Sequence, residues 1–166
     1  SDPRRFGHLD LFASAATSIH PLLSGLGVEP LSDAFTESVL ASLMRGRKTP
    51  IKSALLNQRL IAGLGNIYVS EALFRAGISP RRKAGTIAGQ RACRLTEAIK
   101  VVLREAINAG GTSLRNHIQP GGEIGYFVQD LRVYGQAGQP CVDCGQGIKQ
   151  IIQSGRSSFY CSSCQR

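Results

Sequence analysis

The chain has 166 residues, 42% of them hydrophobic and none of them tryptophan, which is enough apolar material for one medium domain or two small ones and excludes a disordered tail. Twenty Lys and Arg stand against eleven Asp and Glu, so the net charge is +9 and the pI near 9.8, a balance that favours a polyanionic partner such as nucleic acid. There is no long apolar span, no signal-like start and no lipidation motif, so no membrane role is expected.

Ser1 to about Leu23 reads as a basic turn, a short apolar run and a linker ending in Pro21 and Gly25, too short to fold alone. The first residue is Ser1 and not Met, as in a processed product or a cut piece of a longer protein. From Gly27 to about Asp130 the pattern is mostly helical. One helix is predicted from Ser32 or Asp33 to Met44, and a second from Thr49-Pro50, where proline suits the first turn. A third starts at Asn66. The clearest carries Ala92, Leu95, Ile99, Val102, Leu103 and Ala106 at three- and four-residue steps and stops at Gly110-Gly111. Thr112 to Gly125 holds three glycines and a proline and reads as a loop, and Tyr126 to Tyr134 leads on to a cysteine-rich end. The domain division expected is 1–24 as a remnant and linker, 25–130 as a helical domain and 131–166 as a small β-hairpin, a mainly α architecture.

That end carries Cys141-Val-Asp-Cys144 and Cys161-Ser-Ser-Cys164. A two-residue spacer lets one tight turn aim two thiolates at one ion, and a hairpin brings back the second pair. Ile148 to Ile152 is apolar and strand-like, Ser154-Gly155-Arg156 is a turn by composition, and Ser157 to Tyr160 returns to Cys161. One structural zinc is the expected cofactor, and four thiolates leave it no open position for chemistry. Two disulfides or a redox pair are the competing readings; the short spacer suits neither a structural disulfide nor a duplicated redox motif. Zinc-type cysteine usage also implies a reducing, intracellular setting. Cys93 stands alone in a helix as a buried or idle thiol.

Between the second and third helices, Gly63 and Gly65 remove side chains where another backbone, or a phosphate ester, approaches closely. Asn66 is a good N-cap, and a helix beginning at Ile67 offers free amides and a positive dipole end to a phosphate. The same spacing also describes a tight helical corner with a capping Asn.

Gly63-Leu64-Gly65-Asn66-Ile67-Tyr68 with Glu71, Leu73-Phe74 and Ile78-Ser79-Pro80 resembles the helix-two-turn-helix motif of the formamidopyrimidine-DNA glycosylase family. Asp2 to Gly7 resembles that family's void-filling loop, Gly27 to Leu31 its domain junction, Gly110 to Leu114 its base-covering loop, and the cysteine ribbon with Arg156 at its turn its zinc finger. The resemblance covers nearly the whole chain but only the C-terminal part of the family's architecture. It implies a base-excision-repair glycosylase and AP lyase acting on oxidised purines, in a bacterial cytoplasm, as a monomer on damaged double-stranded DNA. Relatives acting on oxidised pyrimidines share the same clamp and ribbon, and a non-enzymatic nucleic-acid-binding module or a thiol-redox protein are the alternatives of other classes.

The family's nucleophile, an N-terminal proline followed by glutamate, matches no residue here, so the missing N-terminal catalytic domain is an implied partner and the chain alone is expected to be inactive. By matched position the resemblance assigns Asn66, Arg156 and Lys52 to phosphate, with Arg47 and Lys48 enlarging a basic face. It assigns Phe6 to wedging into the stack and Arg4 to the orphaned base, and Thr112, Ser113 and the loop to Tyr126 to closing over the lesion. Glu71, near the clamp helix start, faces the active-site region by the resemblance without being catalytic, and a partner of the helix dipole is the plainer alternative.

Overall fold

The computed structural model describes residues 9–112 and 126–166, leaving aside the side chains of 16–18. Among the described residues four α-helices, α1 (Glu37–Met44), α2 (Ile51–Leu55), α3 (Asn66–Arg75) and α4 (Gln90–Asn108), precede one antiparallel hairpin of β1 (Lys149–Gln153) and β2 (Arg156–Tyr160). Short 3-10 turns occupy Ser14–Ile19, Ala84–Thr86 and Phe127–Asp130. The helices come in the predicted order, but irregular backbone joins them, so the description "mainly α" applies to the core more than to the chain.

Helix ends follow local chemistry. Thr36, extended at φ −109° and ψ 168°, accepts the Val39 amide on its hydroxyl, so α1 starts at Glu37 and not at Ser32 or Asp33. Residues 32–35 instead form a turn in which Ser32 bonds the Glu29 carbonyl through both its amide and its hydroxyl, the local competition that keeps serine out of helix interiors. At the other end of α4 the Gly110 amide bonds Ile107 and the Gly111 amide bonds Ala106, with φ of 71° and 92° at the two glycines. α3 closes in the same left-handed way, Gly77 to Phe74 and Ile78 to Leu73.

The main core gathers Phe35, Leu40 and Met44 of the α1 region, Ile51 and Leu55 of α2, Val69 and Leu73 of α3, and Leu95, Ile99 and Val102 of α4. The predicted stripe of α4 is therefore core, with Leu103 packed at its edge. A second, smaller cluster joins Val133, Cys141, Ile148, Phe159 and Cys161 of the ribbon to Phe74 of α3. α3 thus has two apolar sides, one for each cluster, and the ribbon is built onto the helix that ends the corner. At the junction, Gly27 lies so close to the Leu60 carbonyl that any Cβ would collide with it, and Val28 bridges Ile61 in parallel.

Candidate nucleic-acid interface and metal centre

The corner between α2 and α3 is tied from within by one side chain. Gln58 accepts the Gly63 amide at 2.8 Å on Oε1 and donates Nε2 to the Leu64 carbonyl at 3.0 Å, fixing the turn in which Gly63 takes φ +75°. Gly63 and Gly65 both face open space, leaving room over the turn for an incoming group. Gly65, extended, is the N-cap of α3, and Asn66 is its first helical residue. This corrects the expectation of Asn66 as cap: its side chain does not fold back on the helix but reaches across to the hairpin.

The predicted phosphate-binding residues meet there. Asn66 Nδ2 donates to the Ser157 carbonyl at 3.1 Å, and Lys52 Nζ donates to the same carbonyl at 2.6 Å and to Ser158 Oγ at 2.7 Å. Ser158 passes the network to Gln153 Oε1 at 2.7 Å. One backbone carbonyl of β2 therefore gathers a side chain from α2 and one from α3. Lys52 is 1% exposed; burial and then the charge of Arg156 pull its ammonium down to about 8. The Asn66 Oδ1 is buried without a hydrogen-bond partner among the described residues, while Nδ2 carries a second N–H beyond the one given to Ser157.

Arg156 was expected in the turn and instead opens β2, its Cα opposite Gln153. The turn proper is Ser154-Gly155, with φ +50° and +72°, the two-residue geometry whose twist matches that of the flanking strands. A two-residue turn holds Arg156 at a ladder position, exposed and beside Lys52. Lys52, Asn66 and Arg156 thus converge from three elements on one edge; Arg47 and Lys48 are exposed on the segment before α2.

The four paired cysteines converge as their spacing predicted. All four Sγ atoms lie within 4.8 Å of one another, with Cys144–Cys161 at 3.5 Å and Cys141–Cys164 at 3.9 Å. A tetrahedron of thiolates about 2.3 Å from a central ion has edges of about 3.8 Å, so the cluster fits a four-coordinate metal and a soft one. The Gln146 amide pulls the Cys144 thiol down to about 7, whereas burial pushes Cys141 up. Backbone bonds from Gly145 to Cys141 and from Gln165 to Cys161, 2.8 and 3.0 Å, shape the two knuckles. Cys93 lies apart and is exposed on α4, not buried.

Two polar residues dock this ribbon: Glu71, for which the sequence suggests another role, and Gln165, which the sequence reading misses. Glu71 is completely buried, and its carboxylate accepts the amides of Arg132, Val133 and Tyr134 at 3.0, 3.0 and 2.9 Å. It holds the segment entering the ribbon; it does not act as a dipole partner, because a charge that deep requires directed donors. Gln165, 3% exposed, accepts the Cys161 amide and donates to the Ile78 carbonyl, both at 2.9 Å. A glutamine one residue past a CxxC pair is the signal that was available for it.

Thr112 and Tyr126 bridge in antiparallel fashion and close the ends of the segment 113–125. Tyr68 of α3 bonds Thr112 through its hydroxyl at 3.2 Å and packs against Phe127, ring centroids 6.0 Å apart. Arg4, Phe6 and Ser113 lie outside the described residues.

The fold and site define a class: a helix-two-turn-helix corner bearing a basic edge, with a four-cysteine finger docked onto its second helix. The model of the formamidopyrimidine-DNA glycosylase H2TH domain matches residues 26–117, and that of a zinc finger found in FPG and IleRS matches 138–166. The chain belongs to the formamidopyrimidine-DNA glycosylase H2TH family. It is 58% identical over 170 residues to the formamidopyrimidine-DNA glycosylase of Acidiphilium cryptum, covering 99% of this chain and 62% of that protein. The enzyme of Ruegeria pomeroyi is 56% identical over 168 residues, covering 100% and 59%. Among solved structures, MutM (Fpg) of Thermus thermophilus superposes with a TM-score of 0.92 at 42% identity, over 99% of this chain and 62% of that one. Lactococcus lactis Fpg in complex with DNA containing an abasic site gives 0.85 at 33%, over 93% and 57%. The chain spans about three fifths of the length of the relatives it matches. No helix of the described residues is long and apolar enough to cross a membrane.

Proposed function

We propose that this chain is the DNA-gripping C-terminal region of a base-excision-repair glycosylase and AP lyase for oxidised purines, working as a monomer on damaged duplex DNA. The observation that carries the reading is the convergence of Lys52 and Asn66 on the Ser157 carbonyl beside Arg156. Three donors from three elements on one basic edge suit the closely spaced oxygens of a backbone phosphate. The four thiolates hold one structural zinc, which braces the hairpin and takes no part in bond breaking; with four protein ligands it has no position for water or substrate.

Excision and strand cleavage come from the part of the relatives' length that this chain does not span, and the chain alone cuts nothing. Exposed apolar side chains support a covering partner there: Leu9 and Leu11 are 98% and 97% exposed, and Ile19 and Leu22 more than half. Thr112 and Tyr126 anchor a loop that closes over the lesion, and Phe6 and Arg4 fill the gap left by the extruded base. The units 25–130 and 131–166 act as corner and finger of one grip.

The test is a titration of the zinc-loaded chain onto two fluorescent duplexes, one intact and one with a stable abasic analogue opposite cytosine, with strand integrity followed in parallel. Tighter binding to the abasic duplex without cleavage is expected. Absence of duplex binding, or cleavage by the chain itself, would overturn the reading.

A further inference from the structure

The loop between α3 and α4 carries an open cleft of about 460 Å3 lined by Ser79, Arg81, Arg82, Lys83 and Thr86. Arg81 and Lys83 have no ion-pair partner among the described residues, where the ion pairs are His20–Asp10 and Arg75–Glu105. The stretch of chain on either side of the loop is poor in acid as well. Between residues 38 and 96 the chain has eleven Lys and Arg and a single acid, Glu71, which is buried and saturated by three amides. Cations gathered without counter-charges repel one another, and a polyanion relieves that repulsion.

The cleft adjoins the phosphate-binding edge. The Ile51 amide bonds the Arg82 carbonyl at 2.7 Å and the Ala84 amide bonds Thr49 at 2.9 Å, stitching the loop to the start of the helix that carries Lys52. From the hairpin, Gln153 Nε2 donates to the Pro80 carbonyl at 3.2 Å, and Gln153 is the cross-strand partner of Arg156. Arg81 therefore begins one side chain away from the clamp arginine. Arg82 is anchored through Nε to the Arg166 carbonyl at 3.2 Å, while Arg81 and Lys83 are exposed.

We propose that the Ser79–Thr86 cleft is a second phosphate site, which takes the backbone flanking the clamped phosphate and lengthens the footprint on one side of the lesion. This rests on the DNA-binding reading above. A strand held at Lys52, Asn66 and Arg156 presents a further phosphate at about every 3.4 Å of rise, so its neighbours on that side run along this loop.

The experiment is fluorescence anisotropy with the zinc-loaded chain at several salt concentrations, on a long abasic duplex and on two shorter ones trimmed from either flank. For Arg81→Ala/Lys83→Ala the slope of log affinity against log salt should become shallower by about 1 to 2, with roughly tenfold weaker binding near physiological salt. The defect should vanish on one of the trimmed duplexes. Lys100→Ala/Arg104→Ala, which removes equal charge from α4, should move the slope by less than half as much. An unchanged slope, a defect equal to that of the α4 pair, or a defect that survives on both trimmed duplexes overturns the proposal. Arg81→Gln/Lys83→Gln replaces the alanine pair should that variant fail to fold. Failure of this site alone appears as intact binding that Asn66→Ala still weakens; a parent chain that binds no duplex removes both readings.

Discussion

Lys52 is the residue whose environment makes the sharpest prediction. Its ammonium, held near 8 by burial first and by Arg156 second, is charged at neutral pH but loses its proton one to two pH units above it. A bound phosphate favours the charged form, so the pKa in a complex with DNA lies above that of the free chain. Affinity should therefore be flat below pH 7 and fall as pH rises through 8 towards 9, with proton uptake on binding; Lys52→Gln should flatten this dependence. Linkage gives folding the opposite sign. The unfolded lysine binds its proton more tightly than the folded one, so this residue's contribution to stability rises between pH 8 and 10.5. Identical pH profiles for the parent and Lys52→Gln would remove Lys52 from the interface. Asn66→Ala deletes a donor at the same point, and an about tenfold or greater loss of duplex affinity is expected, measured by the same titration. Asn66 stands out in the sequence because the corner motif marks it by position, whereas Lys52 is reached only through the resemblance to the family. Glu71 could not be read correctly, since the amides that saturate it lie more than sixty residues away and nothing near Glu71 announces burial.

At the scale of elements, the decisive joint is between α3 and the ribbon. Phe74 enters the ribbon cluster, Glu71 caps three consecutive amides ahead of it, and Gln165 ties the second cysteine knuckle to the carbonyl that follows α3. Phe74→Ala should cost about 3 to 5 kcal/mol in urea unfolding, the range for truncating a buried aromatic. Glu71→Gln should cost at least ~2 kcal/mol, because an amide can accept with one oxygen only and turns its NH2 towards donors. A loss below ~0.5 kcal/mol in either variant would mean that the ribbon is not held by this joint. The elements themselves were largely legible: α4 through its apolar period, the hairpin through its turn residues, the finger through its cysteines. Boundaries were less so. Thr36 displaced the expected start of α1, and Gly65 took the cap from Asn66, because cap geometry depends on how the preceding backbone is pinned, here by Gln58 at the turn.

For the molecule as a whole, the corner and the finger meet at one basic edge, which the proposed function takes as a single DNA-binding surface. Ser157 belongs to the finger, Lys52 and Asn66 to the corner, and the carbonyl of the first positions the donors of the second. Composition favours a polyanion as partner but gives no sign of this interlock, because charge counts carry no geometry and the contact spans α2, α3 and β2. Metal loading should then control DNA binding from a distance: removing it frees the knuckles, the hairpin loses its closed end, and Asn66 and Lys52 lose the carbonyl that aligns them. The most direct measurement is the affinity of the chain for an abasic duplex before and after zinc is stripped by a chelator, with helix content followed by circular dichroism. A loss of at least tenfold, restored on adding zinc back while the helical signal persists, is the predicted result; undiminished affinity in the metal-free chain would contradict the composite edge.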